Sequence, residues 1–301
     1  MKLFIGKVFL FVFLTALFFE GLFKAEFFPI ITDNSVFDEK MMLLSNKSLQ
    51  KVDLMAIGSS AALFQLKSDA IVPAINLPYY NFSAWSLQMA DTKLLLQHFV
   101  EKYHPSYVIV GSSIADFKRD RDSKFANYLN AGAFVQNHFQ QFFYVKNDNS
   151  LYRIFYRKLW DYHHTFDNWG QEITDFKTDT TWIKYWKLAD DPFPTRYTAS
   201  NYEALAAMGA YLQGLRIKFI FIQFPVAEEY AKTNIGGEAL KAHFSRCQAL
   251  VEHYHGVYLS YQDTIIFSNI MFHDRYHLTN SGDDLISRKI ATDLKNIIGK
   301  R

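Results

Sequence analysis

The longest apolar run in the chain lies at its start. Val8 to Phe19 is twelve residues with only Thr15 polar, and the wider stretch Leu3–Phe23 spans 21 residues. As a helix, 21 residues reach roughly 31 Å, about one hydrocarbon thickness. Lys7 can snorkel to an interface and Glu20 sits near the far end. Lys2 and Lys7 precede the core of the run, which favours an N-terminus inside and the bulk of the chain outside. The reading is a signal anchor over residues 1–27. A cleaved signal peptide competes with it, but a cut after Ala25 would put the bulky Phe23 where a small residue belongs.

The body of the chain alternates between short apolar blocks and longer stretches of helical period. Residues 51–57 (KVDLMAI) read as a buried strand ending in Gly58-Ser59-Ser60. Residues 74–77 (AINL), closed by Pro78, read as a second short strand, with a short helix between the two. Residues 83–103 carry a helical stripe and Pro105 stops it. Residues 106–110 (SYVIV) are a third strand, again ending in Gly-Ser-Ser (111–113). A helix over 198–215 with Gly214 as its C-cap follows, then the strand 217–224 (IKFIFIQF), a helix over 237–254 and a weaker strand at 256–260. The final helix runs from Asn280 to Gly299, with Asp283 and Asp284 in its first turn. This alternation predicts an α/β fold with a parallel sheet and helices on both faces. Sites in such sheets lie at the carboxyl ends of the strands, where both Gly-Ser-Ser turns fall.

Composition adds three things. With 29 Phe, 18 Tyr and 5 Trp, aromatics make up 17% of 301 residues, and 20 of them crowd into residues 125–200. That segment shows no strand–helix alternation. It is read as a mainly helical, aromatic-rich insertion (125–197) in a domain built from 28–124 and 198–301, and the adjacent His163-His164 is expected at a surface. The 32 basic and 30 acidic residues leave a net charge of +2, no electrostatic footprint for nucleic acid. The single cysteine, Cys247, excludes an intramolecular disulfide framework and a cysteine-rich zinc site.

The candidate chemistry lies just ahead of the last helix, in His273-Asp274-Arg275-Tyr276-His277. An Asp three residues before a His, on a loop entering a helix, can place both side chains toward one point. A serine nucleophile needs a base and the base needs an orienting acceptor, which His277 and Asp274 could supply. Ser60, on a tight strand-to-helix turn, could be the nucleophile, with helix N–H groups pointing at it. A metal site is the rival, since His253 and His255 could join His273, Asp274 and His277. Against it, 253–255 ends a helix, 273–277 lies in a loop, and no His-Glu-x-x-His motif occurs. Lys118, Arg119 and Arg121 form a basic run that a solvated helix start or an anionic substrate would explain.

A strand ending in Gly-x-Ser near the start, with Asp-x-x-His near the end, resembles the SGNH (GDSL-type) hydrolase superfamily. The resemblance is nearest to its membrane-anchored, extracytoplasmic members, among them the D-alanyl-transfer protein of teichoic acid synthesis and the alginate O-acetylation proteins. It covers roughly 50–120 and 215–298. It implies a three-layer α/β/α flavodoxin-like fold, and a triad of Ser60 as nucleophile, His277 as base and Asp274 as acid. Tyr80-Asn81-Phe82-Ser83 resembles the second block and implies an oxyanion donor at Asn81. The third block is normally Gly-x-Asn-Asp and here reads Gly111-Ser112-Ser113-Ile114-Ala115-Asp116, so Ser113 and Asp116 take the place of its oxyanion or substrate contacts.

The resemblance further implies transfer or removal of an acyl group, foremost O-acetyl, on a cell-envelope polysaccharide. Partners would be an acylated glycan or acyl donor and a membrane-bound O-acyltransferase, with no metal or cofactor. A non-catalytic scaffold with the same fold is the alternative. The two differ geometrically, because catalysis requires Ser60 Oγ within about 3–4 Å of His277.

Overall fold

A computed structural model describes residues 2–24, 35–46, 49–118, 164–174, 198–227, 236–262 and 267–299. The chain divides into two compact units, Met1–Ser48 with Phe125–His163, and Leu49–Lys124 with His164–Arg301.

In the first unit, α1 (Lys2–Lys24) follows the apolar run and α2 (Ser35–Asn46) comes after it. Large apolar side chains of α1 are bare, among them Leu3 at 78%, Phe9 at 76% and Phe11 at 71% exposure. Among the described residues no helix is long and apolar enough to cross a membrane. The anchor expected over 1–27 extends past α1 into residues outside the described ones.

The second unit is the α/β domain. Its elements are β1 (Leu54–Gly58), α3 (Ser60–Gln65), α4 (Ser68–Ile75), β2 (Tyr79–Asn81), α5 (Met89–Tyr103) and β3 (Tyr107–Ser112). A 3-10 turn (Ile114–Phe117) follows, then α6 (Ala199–Gly214), β4 (Lys218–Gln223), α7 (Gly236–His253), β5 (Val257–Ser260) and α8 (Asn280–Gly299). The five strands form one parallel sheet in the order β2-β1-β3-β4-β5. This is the flavodoxin-like doubly wound order, whose switch point lies between β1 and β3.

Every residue of β1 and β3 is buried, as parallel strands covered on both faces require. On one face Leu54, Ala56, Ile109, Ile220 and Ile222 meet Ile71 and Ile75 of α4 and Ile286, Ile290 and Leu294 of α8. The α8 residues are the stripe at i, i+4 and i+8 that the sequence displays. On the other face α5 packs against α6 and α6 against α7.

Three expectations are corrected here. Residues 74–75 are the last turn of α4, and the second strand is Tyr79–Asn81, beyond Pro78. Asn76 adopts the left-handed conformation (φ 52°) and donates its N–H to the Val72 carbonyl, which ends the helix where a strand was expected. The helix expected from 83 begins at Met89, because Gln88 caps it with Asp91 in a reciprocal box. Gly214 is the last helical residue, and the left-handed position after α6 falls on Arg216 (φ 57°).

Of the expected insertion, only 164–174 lies among the described residues of the second unit. It is a strap closed by an antiparallel bridge between Phe166 and Glu172, not a helix. The rest of the helical expectation lies outside the described residues. His164 is not at a surface: its side chain is 4% exposed and its Nδ1 lies 2.6 Å from Glu172 Oε1.

Candidate active site

The two Gly-Ser-Ser turns end adjacent strands in register, Gly58 opposite Gly111. Both positions exclude a side chain. A Cβ on Gly58 would come within 2.0 Å of the Gly111 carbonyl oxygen, and one on Gly111 would meet Ala62 Cβ at 2.7 Å. The tight packing brings the first turn of α3 over the end of β3. Ser59 is the N-cap of α3 and Ser60 its first residue, so the Ser60 backbone N–H is one of the donors a helix cannot satisfy internally.

Asp274 and His277 sit on the loop that enters α8. A bridge between Phe272 and Leu278 pinches this loop, and the His273 N–H donates to the His277 carbonyl at 2.8 Å. Asp274 Oδ1 accepts the backbone N–H groups of Tyr276 and His277, both at 2.8 Å. Its second oxygen lies 2.6 Å from His277 Nδ1, and His277 Nε2 lies 2.7 Å from Ser60 Oγ. An ionised carboxylate only accepts, so Nδ1 carries the ring proton and Nε2 is left to accept from the Ser60 hydroxyl. The ring is steadied by the edge of Phe64, 5.8 Å away between centroids at 71°. Gln65 Nε2 donates to the Tyr276 carbonyl at 3.0 Å and ties α3 to the same loop.

Burial pushes the Asp274 carboxyl up. The hydrogen bond and charge of His277 and the two backbone N–H groups outweigh it and hold the group below its ordinary value. Asp274 is thus the charged orienting acceptor that a catalytic histidine requires.

Asp116 forms a second centre beneath the first. Its Oδ2 accepts the Ser113 N–H at 2.8 Å and the Ser59 hydroxyl at 2.9 Å, and Ser112 Oγ lies 3.1 Å away. Ser113 Oγ is 3.4 Å from its Oδ1. Asp116 therefore links both Gly-Ser-Ser turns. Burial pushes its carboxyl up to about 7, although the Ser113 N–H, the two serine hydroxyls and the His277 charge all act to lower it. Its linking role was not foreseen, yet Ser113-x-x-Asp116 has the spacing of a capping box, and that is what it forms.

The structure brings Ser60, His277 and Asp274 into one relay. Asn81 is fully buried; its Nδ2 donates to the Ala62 carbonyl at 3.0 Å and its Oδ1 accepts the Ser83 N–H at 2.9 Å. Those contacts hold Asn81 between β2 and α3. Ser113 is turned to Asp116, which accepts its backbone N–H. Of the basic run, Lys118 Nζ donates to the Tyr276 hydroxyl and lies 4.5 Å from that ring's centroid. Arg119 and Arg121 lie outside the described residues. Among the described residues no group of three His, Cys, Asp or Glu side chains is placed to hold a metal ion.

No protein-family model and no curated relative matches the chain. Among solved structures the chain is similar to one from Bacteroides fragilis NCTC 9343 described as a "putative acylhydrolase". The identity is 11%, the TM-score 0.47, and the likeness covers 84% of this chain and 94% of that one.

Proposed function

We propose that the protein is a serine-dependent O-acyl esterase or O-acyltransferase. The observation that carries this is the unbroken Ser60–His277–Asp274 relay at 2.7 and 2.6 Å, at the switch point of a parallel sheet. In the first step Ser60 Oγ bonds to the acyl carbon while its proton passes to His277 Nε2. Asp274 stabilises the imidazolium that forms. His277 then gives the proton to the departing sugar oxygen as the ester C–O bond breaks. Water or a second hydroxyl attacks the acyl-serine, again with His277 as base. The Ser60 backbone N–H, at the first turn of α3, is a candidate donor to the oxyanion. The acyl group would be acetyl and its carrier a cell-envelope polysaccharide, with an acyl donor or a membrane-bound O-acyltransferase as partner.

The protein and its Ser60→Ala variant, assayed on p-nitrophenyl acetate and acetylated xylan, test this reading. Loss of ester cleavage and of fluorophosphonate labelling in the variant is expected; full retention of either sinks it.

The bare apolar side chains of α1 favour attachment to a membrane, and Lys2 and Lys7 ahead of the apolar run favour the extracytoplasmic side for the domain. Membrane pelleting of the full chain, abolished by removing residues 2–24, is the expected result. Equal pelleting of both would exclude α1 as the attachment.

A further inference from the structure

Beside the triad lies a cavity of about 440 Å³ that the relay itself does not use. Its walls come from three places distant in sequence: the α3–α4 corner, the 164–174 strap and the first turn of α8. Phe64 belongs to the cavity and also packs its edge on His277, so cavity and triad share a wall.

The strap is fastened to the sheet domain at several points. Ser68 donates its N–H to Gln171 Oε1 at 2.9 Å and its hydroxyl to Asp167. Trp85 Nε1 donates to Glu172 Oε2 at 2.7 Å, and the Asn81 N–H donates to the Trp169 carbonyl at 2.8 Å. Gly170 holds φ at +83°, and a Cβ there would come within 2.5 Å of the Asn81 carbonyl oxygen. The backbone of Trp169 is thus fixed while its side chain stays 38% exposed at the cavity. An indole in that condition is a preformed flat apolar face with little entropy left to lose on binding.

Asp283 supplies the second observation. It lines the cavity and is 4% exposed, and its Oδ1 has no hydrogen-bond partner among the described residues. A buried carboxyl oxygen without a donor is costly, and a ligand hydroxyl would relieve that cost. The other cavity carboxylates Asp167 and Glu172 are occupied with Ser68, Trp85 and His164. Asp69 adds an exposed carboxylate, and Lys67 opposes it while paired with Asp284. That mixture disfavours a strongly anionic ligand and provides no dedicated cation site. A flat apolar face beside hydroxyl acceptors suits an uncharged pyranose ring, whose C–H face stacks while its hydroxyls donate.

We infer that this cavity is a pyranose-binding subsite, with Trp169 as the stacking face and Asp283 as a hydroxyl acceptor, holding the glycan next to Ser60. The inference rests on the acyl-transfer reading only for the purpose of the ring; binding itself is tested without turnover. The full-length Ser60→Ala protein is titrated with xylotetraose, cellotetraose and chitotetraose by calorimetry. Saturable binding of at least one is expected below about 10 mM. Adding Trp169→Ala should weaken it at least tenfold, Asp283→Asn about threefold or more, and Trp169→Phe should restore most of the affinity. Circular dichroism and the melting temperature of each variant exclude loss of the fold. Absence of binding for all three sugars, or equal binding with Trp169→Ala, overturns the inference. Retained aryl-ester cleavage in Ser60→Ala would fell the acyl-transfer reading and leave the calorimetric result to decide the subsite.

Discussion

The same three residues, Gly-Ser-Ser, end β1 and β3 side by side, yet the two turns do different work. In the first, the helix begins one residue earlier, so Ser60 is its first member and its hydroxyl turns to His277. In the second, Ser113 is the N-cap, and Asp116 three residues later captures its backbone N–H. The matching place in the first turn, three residues after the N-cap Ser59, is Ala62, which offers no such acceptor. A nucleophile needs a hydroxyl that local capping has not consumed, and Ser60, one place past the cap residue, keeps its own for His277 while Ser59 and Ser113 turn to Asp116.

The largest expected effect breaks this comparison at Ser60. Ser60→Ala and His277→Ala should each lower kcat for p-nitrophenyl acetate by at least about a thousandfold, and the double variant should lose little more. Full additivity in the double variant would mean that the two do not act as a unit. Asp274→Asn should cost on the order of a hundredfold or more, because an amide can donate to Nδ1 and favour the wrong tautomer. Asp274 is partly open to solvent, which makes its electrostatic share smaller than that of a fully buried acid.

Much of this was legible in the sequence for physical reasons. Apolar blocks such as 107–110 and 219–222, rich in β-branched and aromatic residues, suit strands buried on two faces, and the α8 stripe has a helical period. Ser60, Asp274 and His277 were legible because each sits at an element boundary where a turn must occur. The contacts of Asn81 were not legible because a block resemblance does not say where an amide points; its bonds to Ala62 and Ser83 depend on the α3–β2 packing. The strand at 74–77 was misjudged because a four-residue, mostly apolar block closed by Pro78 reads the same whether it ends a helix or forms a short buried strand. The Trp169 strap was illegible because its order comes from long-range bonds to Ser68, Asn81 and Trp85, which leave no periodicity.

A smaller effect concerns the buried hub. The Asp116 carboxyl is raised to about 7 from an ordinary carboxylate value. A raised acid binds its proton more tightly in the folded state, so its contribution is complete at low pH and is lost as pH rises through about 7. The difference in unfolding free energy between wild type and Asp116→Asn should therefore shift against the wild type from pH 5 to pH 8. A difference flat across that range would place the folded pKa near its ordinary value. Asp116→Ala should also be less stable by about 1–3 kcal/mol, because the Ser113 N–H and the Ser59 hydroxyl lose their acceptor.

The smallest expected effect is the sharpest test of the twin turns. If Ser113 is a cap and not an oxyanion donor, Ser113→Ala should leave kcat for p-nitrophenyl acetate within about threefold. Its cost should show in stability, at about 1 kcal/mol, as for other N-cap truncations. Removing a true oxyanion donor costs roughly a hundredfold to a thousandfold in kcat. A fall of that size with stability unchanged would return Ser113 to the catalytic site. It would also mean that its hydroxyl leaves Asp116 Oδ1, already a long contact at 3.4 Å, when an acyl group is bound. The two turns would then differ only in which serine attacks and which one steadies the charge that the attack creates.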